Sequence, residues 1–208
     1  MVKEHWREDR TKVHIEAWAI PRIEKVVKGF NPELIVEFGP YYGGMTKYFC
    51  EWCSGIPIYS VDAFWLIAKR DMKYFRDRNV TFMITSQLCE NDIIIPVLLA
   101  LPMRKFLFCD AAMRDEEVRV YSGYLRPGDL LGMHDWSDNV DKLEGAFNEF
   151  VEHPVNDELR YLSSSDCRFW IKRFGCGRIQ EPVDGPDDEL WKPDVGLDKN
   201  LETQKQGI

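Results

Sequence analysis

The chain runs to 208 residues, enough for one α/β domain with a core of its own. Its 35 acidic and 27 basic residues leave a net charge of −8, which argues against a nucleic acid as main partner, because phosphate binding needs a cationic field. Hydrophobic residues at 45% and aromatic residues at 13% exclude wholesale disorder.

In chain order, residues 1–20 carry Trp6, His14 and Trp18 and are expected to form a helical extension, a lid or a dimer contact. Pro21 to Lys28 places Ile23, Val26 and Val27 on one face of a helix that Gly29 ends and Asn31-Pro32 separates from the next strand. Leu34 to Phe38 is a short apolar strand running into glycines, followed by a helix over 45–53. Further strands are expected at 56–61, 80–84, 106–109 and 130–133, with helices at 65–78, 92–101 and 115–125 between them. This βα alternation predicts an α/β fold with a doubly wound, mostly parallel sheet. Glu158 to Leu162 and Arg168 to Phe174 are strand-like, and their linker is too short for a crossover helix. They are expected to pair as an antiparallel hairpin at the C-terminal edge. Residues 175–208 carry a net charge of −4 with five Gly and three Pro, and read as an acidic, irregular tail behind a domain of residues 21–174.

The longest apolar run, Ile93 to Leu101, is broken by Pro96 and falls short of the roughly 20 residues a bilayer requires, so no membrane partner is expected. The N-terminal residues lack the apolar stretch of a secretory signal. Six cysteines do not suggest a disulfide framework in a chain this long, and Cys50-Glu-Trp-Cys53 has no second pair at zinc-site spacing. Both observations favour reduced thiols and a cytoplasmic location.

The chemistry starts at Glu37-Phe-Gly39-Pro40-Tyr41-Tyr42-Gly43-Gly44. Glycines after a strand let backbone approach a ligand, and the start of the next helix offers N–H groups and the positive end of its dipole. A nicotinamide-type loop would need glycine where Tyr41 stands, and a P-loop would need lysine where Met45 follows Gly44. What remains is Glu37-x-Gly39-x-x-x-Gly43, in which an acid precedes the loop and suits a cationic ligand better than a pyrophosphate. Asp62 ends the second strand 25 residues later, where a carboxylate can accept both ribose hydroxyls, and Ser86 follows the third strand within reach of an adenine edge.

Acids and a serine at successive strand ends behind such a loop resemble the class I S-adenosylmethionine-dependent methyltransferases, over residues 20–174. Within that class, Phe106-Leu-Phe-Cys-Asp110 and Leu125-Arg-Pro-Gly-Asp-Leu-Leu-Gly-Met-His-Asp135 are similar to the small-molecule O-methyltransferase branch, which holds the catechol-type and cephalosporin-hydroxylase-like enzymes. The resemblance implies a Rossmann-like, seven-stranded sheet with its last strand antiparallel and S-adenosylmethionine across the carboxyl ends of the strands. It implies cofactor contacts at Glu37, Gly39, Pro40, Tyr41, Gly43, Asp62, Ala63, Ser86 and Asp110, and methyl transfer to a hydroxyl of a small molecule.

It further implies a divalent metal such as Mg²⁺ on Asp110, His134 and Asp135, the same residues being the catalytic candidates. Such an ion would lower the pKa of a coordinated acceptor hydroxyl. Imidazole suits softer ions, so His134 is alternatively the general base. Helix capping is the competing role for Asp110 and Asp135, and a purely structural role competes for His134. The branch commonly carries a second acid and then a lysine or histidine just after the strand-four acid; in this chain those positions are Ala112 and Met113, and neighbouring Arg114 is too basic to accept a proton. That departure supports a second reading, a methyltransferase-fold protein that binds cofactor without turnover. Tyr41, Tyr42, Phe64, Trp65 and Trp136 are the candidates for stacking on the acceptor, and the edge hairpin and N-terminal segment suggest a homodimer.

Overall fold

The computed structural model describes residues 5–7, 11–13, 15–64, 66–67, 69–85, 93–135, 143, 145, 147–156 and 167–174. Its strands are β1 (His5–Trp6), β2 (Lys12–Val13), β3 (Leu34–Phe38), β4 (Ile58–Asp62), β5 (Val80–Ile84), β6 (Lys105–Cys109), β7 (Leu130–Met133), β8 (Phe150–Glu152) and β9 (Arg168–Lys172). The helices between them are α1 (Ile20–Phe30), α2 (Gly44–Trp52), α3 (Lys69–Phe75), α4 (Ile94–Ala100) and α5 (Arg114–Tyr121), the last running into a 3₁₀ turn at Ser122–Tyr124.

Seven strands form one sheet in the order β5-β4-β3-β6-β7-β9-β8. β3, β4, β5, β6 and β7 are parallel, while β9 runs antiparallel to both β7 and β8. The chain leaves β3 outward through β4 and β5, then crosses back to place β6 on the other side of β3. Ligands bind open α/β sheets at such a reversal, outside the carboxyl ends of the strands.

Period-two alternation divides the core between two faces. Ile35, Ile58, Phe106, Phe108, Leu130 and Phe169 pack with α1 and α2 on one side. Leu34, Val36, Phe38, Leu107, Leu131 and Trp170 pack with α4 and α5 on the other. Gly132 leaves room for three rings, since a Cβ there would stand 2.9 Å from Phe106 and Phe169 and 3.0 Å from Phe108.

Three expectations change. The first helix runs past Gly29 to Phe30, which packs on the core, and ends at Asn31 in the left-handed region (φ 51°) ahead of Pro32. Of the N-terminal residues expected to be helical, 5–6 and 12–13 are strands that pair as β1 and β2, and Thr11, Val13 and Ile15 are buried at every second position, a strand's alternation. At the C-terminal edge β9 pairs with β8, with Val151 opposite Ile171, while Glu158 to Leu162 lies outside the described residues. Among the described residues no helix is long and apolar enough to cross a membrane.

Candidate active site

The loops leaving β3 and β6 meet at backbone distance. Gly39 sits at φ 77°, and a Cβ on it would stand 2.6 Å from the carbonyl of Asp110 and from the amide nitrogen of Ala111. Only glycine fits. Strand-like bonds fix both loop starts: Gly39 N–H donates to Val61 at 2.9 Å, and Asp110 N–H donates to Phe38 at 3.0 Å. Beyond Gly39 the chain turns through Tyr41 (φ 51°) and Gly43 (φ 81°) into α2. Gly44, the first residue of α2, lies against β2, because a Cβ there would stand 2.4 Å from the Lys12 carbonyl. The Gly39–Tyr41 side of the loop is open.

A cleft of about 370 Å³ opens there, lined by Gly39, Tyr41, Asp62, Ala63, Asp110 and Arg114 among others. That volume falls within the range of small-molecule sites. Asp62 stands at its lip and accepts the Tyr41 N–H at 3.4 Å and the Phe64 N–H at 3.2 Å, which orients the carboxylate. Phe64, 72% exposed, and Tyr41 form an aromatic edge beside it. Pro40 belongs to the same turn, where its carbonyl accepts the Gly43 N–H. Ser86, Trp65 and Trp136 lie outside the described residues.

Glu37 lies beneath the loop, fully buried, instead of facing the cleft. Its Oε2 accepts the Thr46 hydroxyl at 2.7 Å and the Ser60 hydroxyl at 2.6 Å, while Oε1 is buried without a hydrogen-bond partner. Burial pushes its pKa up to about 7, against the two hydroxyl bonds, and the carboxylates of Asp110 and Asp62 add to the rise. A cation brought near the loop would therefore stabilise its charged form.

Asp110, His134 and Asp135 come together as the sequence suggests. His134 Nδ1 is 2.7 Å from Asp110 Oδ1, and its Nε2 is 3.5 Å from Asp135 Oδ1 and 4.0 Å from Glu16 Oε2. His134 is only 1% exposed, so it stands behind Asp110 and outside direct reach of the cleft. Burial lowers its pKa, but the charge and hydrogen bond of Asp110, with Asp135, outweigh that and hold it above 6.5, opposed by Arg114. Arg114 spans the two acids: its Nη2 lies 2.9 Å from Asp135 Oδ2 and 3.3 Å from Asp110 Oδ1.

These residues do not fit a divalent metal. The acid oxygens that would converge on the ion converge on a guanidinium, and the ring nitrogen nearest Asp110 is engaged with it. Among the described residues no group of three or more His, Cys, Asp or Glu is arranged to hold a metal ion. Sequence reasoning passed over Arg114 as a poor base, although its place four residues after Asp110, opening a helix, puts it within reach of that acid. Glu16 and buried Glu117 gave no sequence signal at all.

No family model and no curated protein sequence matches the chain. Solved structures do. CmcI in its apo form is similar at a TM-score of 0.60 and 16% identity, covering 82% of this chain and 77% of the other. The O-methyltransferase TomG from Streptomyces achromogenes, in complex with SAM, gives 0.52 at 13% identity over 77% and 82%. The 1,6-didemethyltoxoflavin-N1-methyltransferase of Burkholderia thailandensis gives 0.50 at 10% identity over 75% and 79%. With its strand order and the glycine loop at the reversal, the chain has the class I S-adenosylmethionine-dependent methyltransferase fold.

Proposed function

We propose that the chain binds S-adenosylmethionine in the cleft beside Gly39 and transfers its methyl group to a hydroxyl of a small molecule. The observation that carries this reading is the crossing of Gly39 over the Asp110–Ala111 backbone with the Asp62 carboxylate at the same cleft. Asp62 would accept the ribose hydroxyls. Glu37 supports the turn from beneath through Thr46 and Ser60, and its charge would respond to the sulfonium above.

In the transfer the S–CH₃ bond breaks as the O–CH₃ bond forms, the acceptor's proton passes to Asp110, and S-adenosylhomocysteine leaves. Asp110 is the group placed for that proton because it lines the cleft, while His134 holds it from behind. Alignment of acceptor and methyl group supplies most of the rate, and the aromatic edge of Tyr41 and Phe64 suits a flat acceptor. Solved relatives named for methylation at oxygen and at nitrogen share this fold, so the choice of a hydroxyl rests on the resemblance at Asp110 and Leu125–Asp135.

A second reading, cofactor binding without turnover, is favoured by Ala112, Met113 and the salt-bridged state of both acids. Incubation with methyl-labelled S-adenosylmethionine and a panel of phenolic and sugar hydroxyl acceptors separates the two. Labelled product with matching S-adenosylhomocysteine is the expected result. Bound cofactor with no product from any acceptor favours the second reading.

A further inference from the structure

The cation between Asp110 and Asp135 belongs to the protein. Arg114 is the first residue of α5, four positions after Asp110 across the turn that follows β6. Its Nη2 reaches Asp110 at 3.3 Å and Asp135 at 2.9 Å, and the latter carboxylate is aimed by a left-handed backbone at Asp135 (φ 52°). Left-handed backbone is costly for a residue other than glycine and persists where the surroundings demand it. Asp110, Arg114 and Asp135 are all largely buried, at 9%, 21% and 15% side-chain exposure, so the pairs are poorly screened by water.

We propose that Arg114 is the resident cation of this cleft: its guanidinium takes the place between Asp110 and Asp135 that a divalent metal would need, so cofactor binding and turnover do not depend on a metal. Arg114 is a positioning residue that fixes both acids beside the cleft. Without it, only the His134 imidazole would stand between the two carboxylates, and the place the guanidinium vacates would be open to a divalent ion. The inference deepens the methyl-transfer reading and rests on it for what the acids do, although its test needs no acceptor.

The test is Mn²⁺ titration followed by electron paramagnetic resonance on the wild type, Arg114→Ala and Arg114→Ala/Asp135→Asn, with S-adenosylhomocysteine titrated calorimetrically into the same samples. The wild type is expected to bind no stoichiometric Mn²⁺ at millimolar concentration. Arg114→Ala is expected to gain at least tenfold in Mn²⁺ affinity, and the added Asp135→Asn to remove that gain. One tightly bound Mn²⁺ on the wild type overturns the proposal, as does a folded Arg114→Ala that gains none. If Arg114→Ala does not fold, Arg114→Gln, which removes the charge and keeps a donor, is read the same way. Wild-type Mn²⁺ binding with S-adenosylhomocysteine affinity intact would end this inference alone. Absent S-adenosylhomocysteine binding would end the methyl-transfer reading and leave the Mn²⁺ result readable.

Discussion

Asp62 and Glu37 illustrate how two carboxylates near one loop come to differ. Asp62 is at the lip, held by two backbone N–H groups, and free lone pairs of its oxygens can meet a ligand's hydroxyls. Asp62→Ala should weaken S-adenosylhomocysteine binding by about 1–3 kcal/mol, read by calorimetry; unchanged affinity would remove the ribose assignment. Glu37 is buried, with a folded pKa of about 7, and Glu117 is pushed by burial to about 8 against the pull of Arg114. A carboxyl whose folded pKa lies above the unfolded 4.5 binds more protons folded than unfolded in between, so stability falls as pH rises through that interval. His134, also raised, acts in the same sense, and His153, lowered by burial and Lys25, acts against it. Denaturation midpoints should therefore decline from about pH 5 to about pH 8, and Glu37→Gln should flatten part of the decline. A midpoint that rises over this range would contradict these protonation states. At this scale the glycines and Asp62 were readable because strand ends and turn residues are local signals. The cation at Asp110 was not, because it depends on how far one arginine side chain reaches.

Among the elements, the order of the βα alternation was readable, and several strand bounds with it. β3, β5 and β7 begin and end at the residues the apolar runs predict, and the ends of α4 and α5 shift by one to four residues. The N-terminal segment was harder to read, since its partners are distant in sequence. Buried Lys47 of α2 donates to Asp71 of α3 at 2.8 Å and also to Thr11, whose own hydroxyl donates to Asp71 at 3.2 Å. This buried cluster ties the N-terminal segment to α2 and α3, next to the turn that carries Gly43. Asp71→Ala removes the carboxylate from beside a buried ammonium and should cost about 3–5 kcal/mol in chemical denaturation. A loss below about 1 kcal/mol, the size expected of exposed pairs, would show that the cluster is solvated.

For the whole molecule, the reversal of strand order between β3 and β6 marks where a ligand would bind, and the acidic composition argues against a nucleic acid there. Fold class followed from periodicity, but the pairing of β9 with β8 did not, because the strand-like pattern of Glu158 to Leu162 offered a nearer partner for the same edge. The most direct test is calorimetric titration of S-adenosylhomocysteine into the wild-type protein, with ATP and NAD as controls. One site with a Kd of roughly micromolar order, and no heat from either control, is the expected result. Equal binding of all three ligands, or none of S-adenosylhomocysteine, would contradict the assignment of the Gly39–Asp62 cleft.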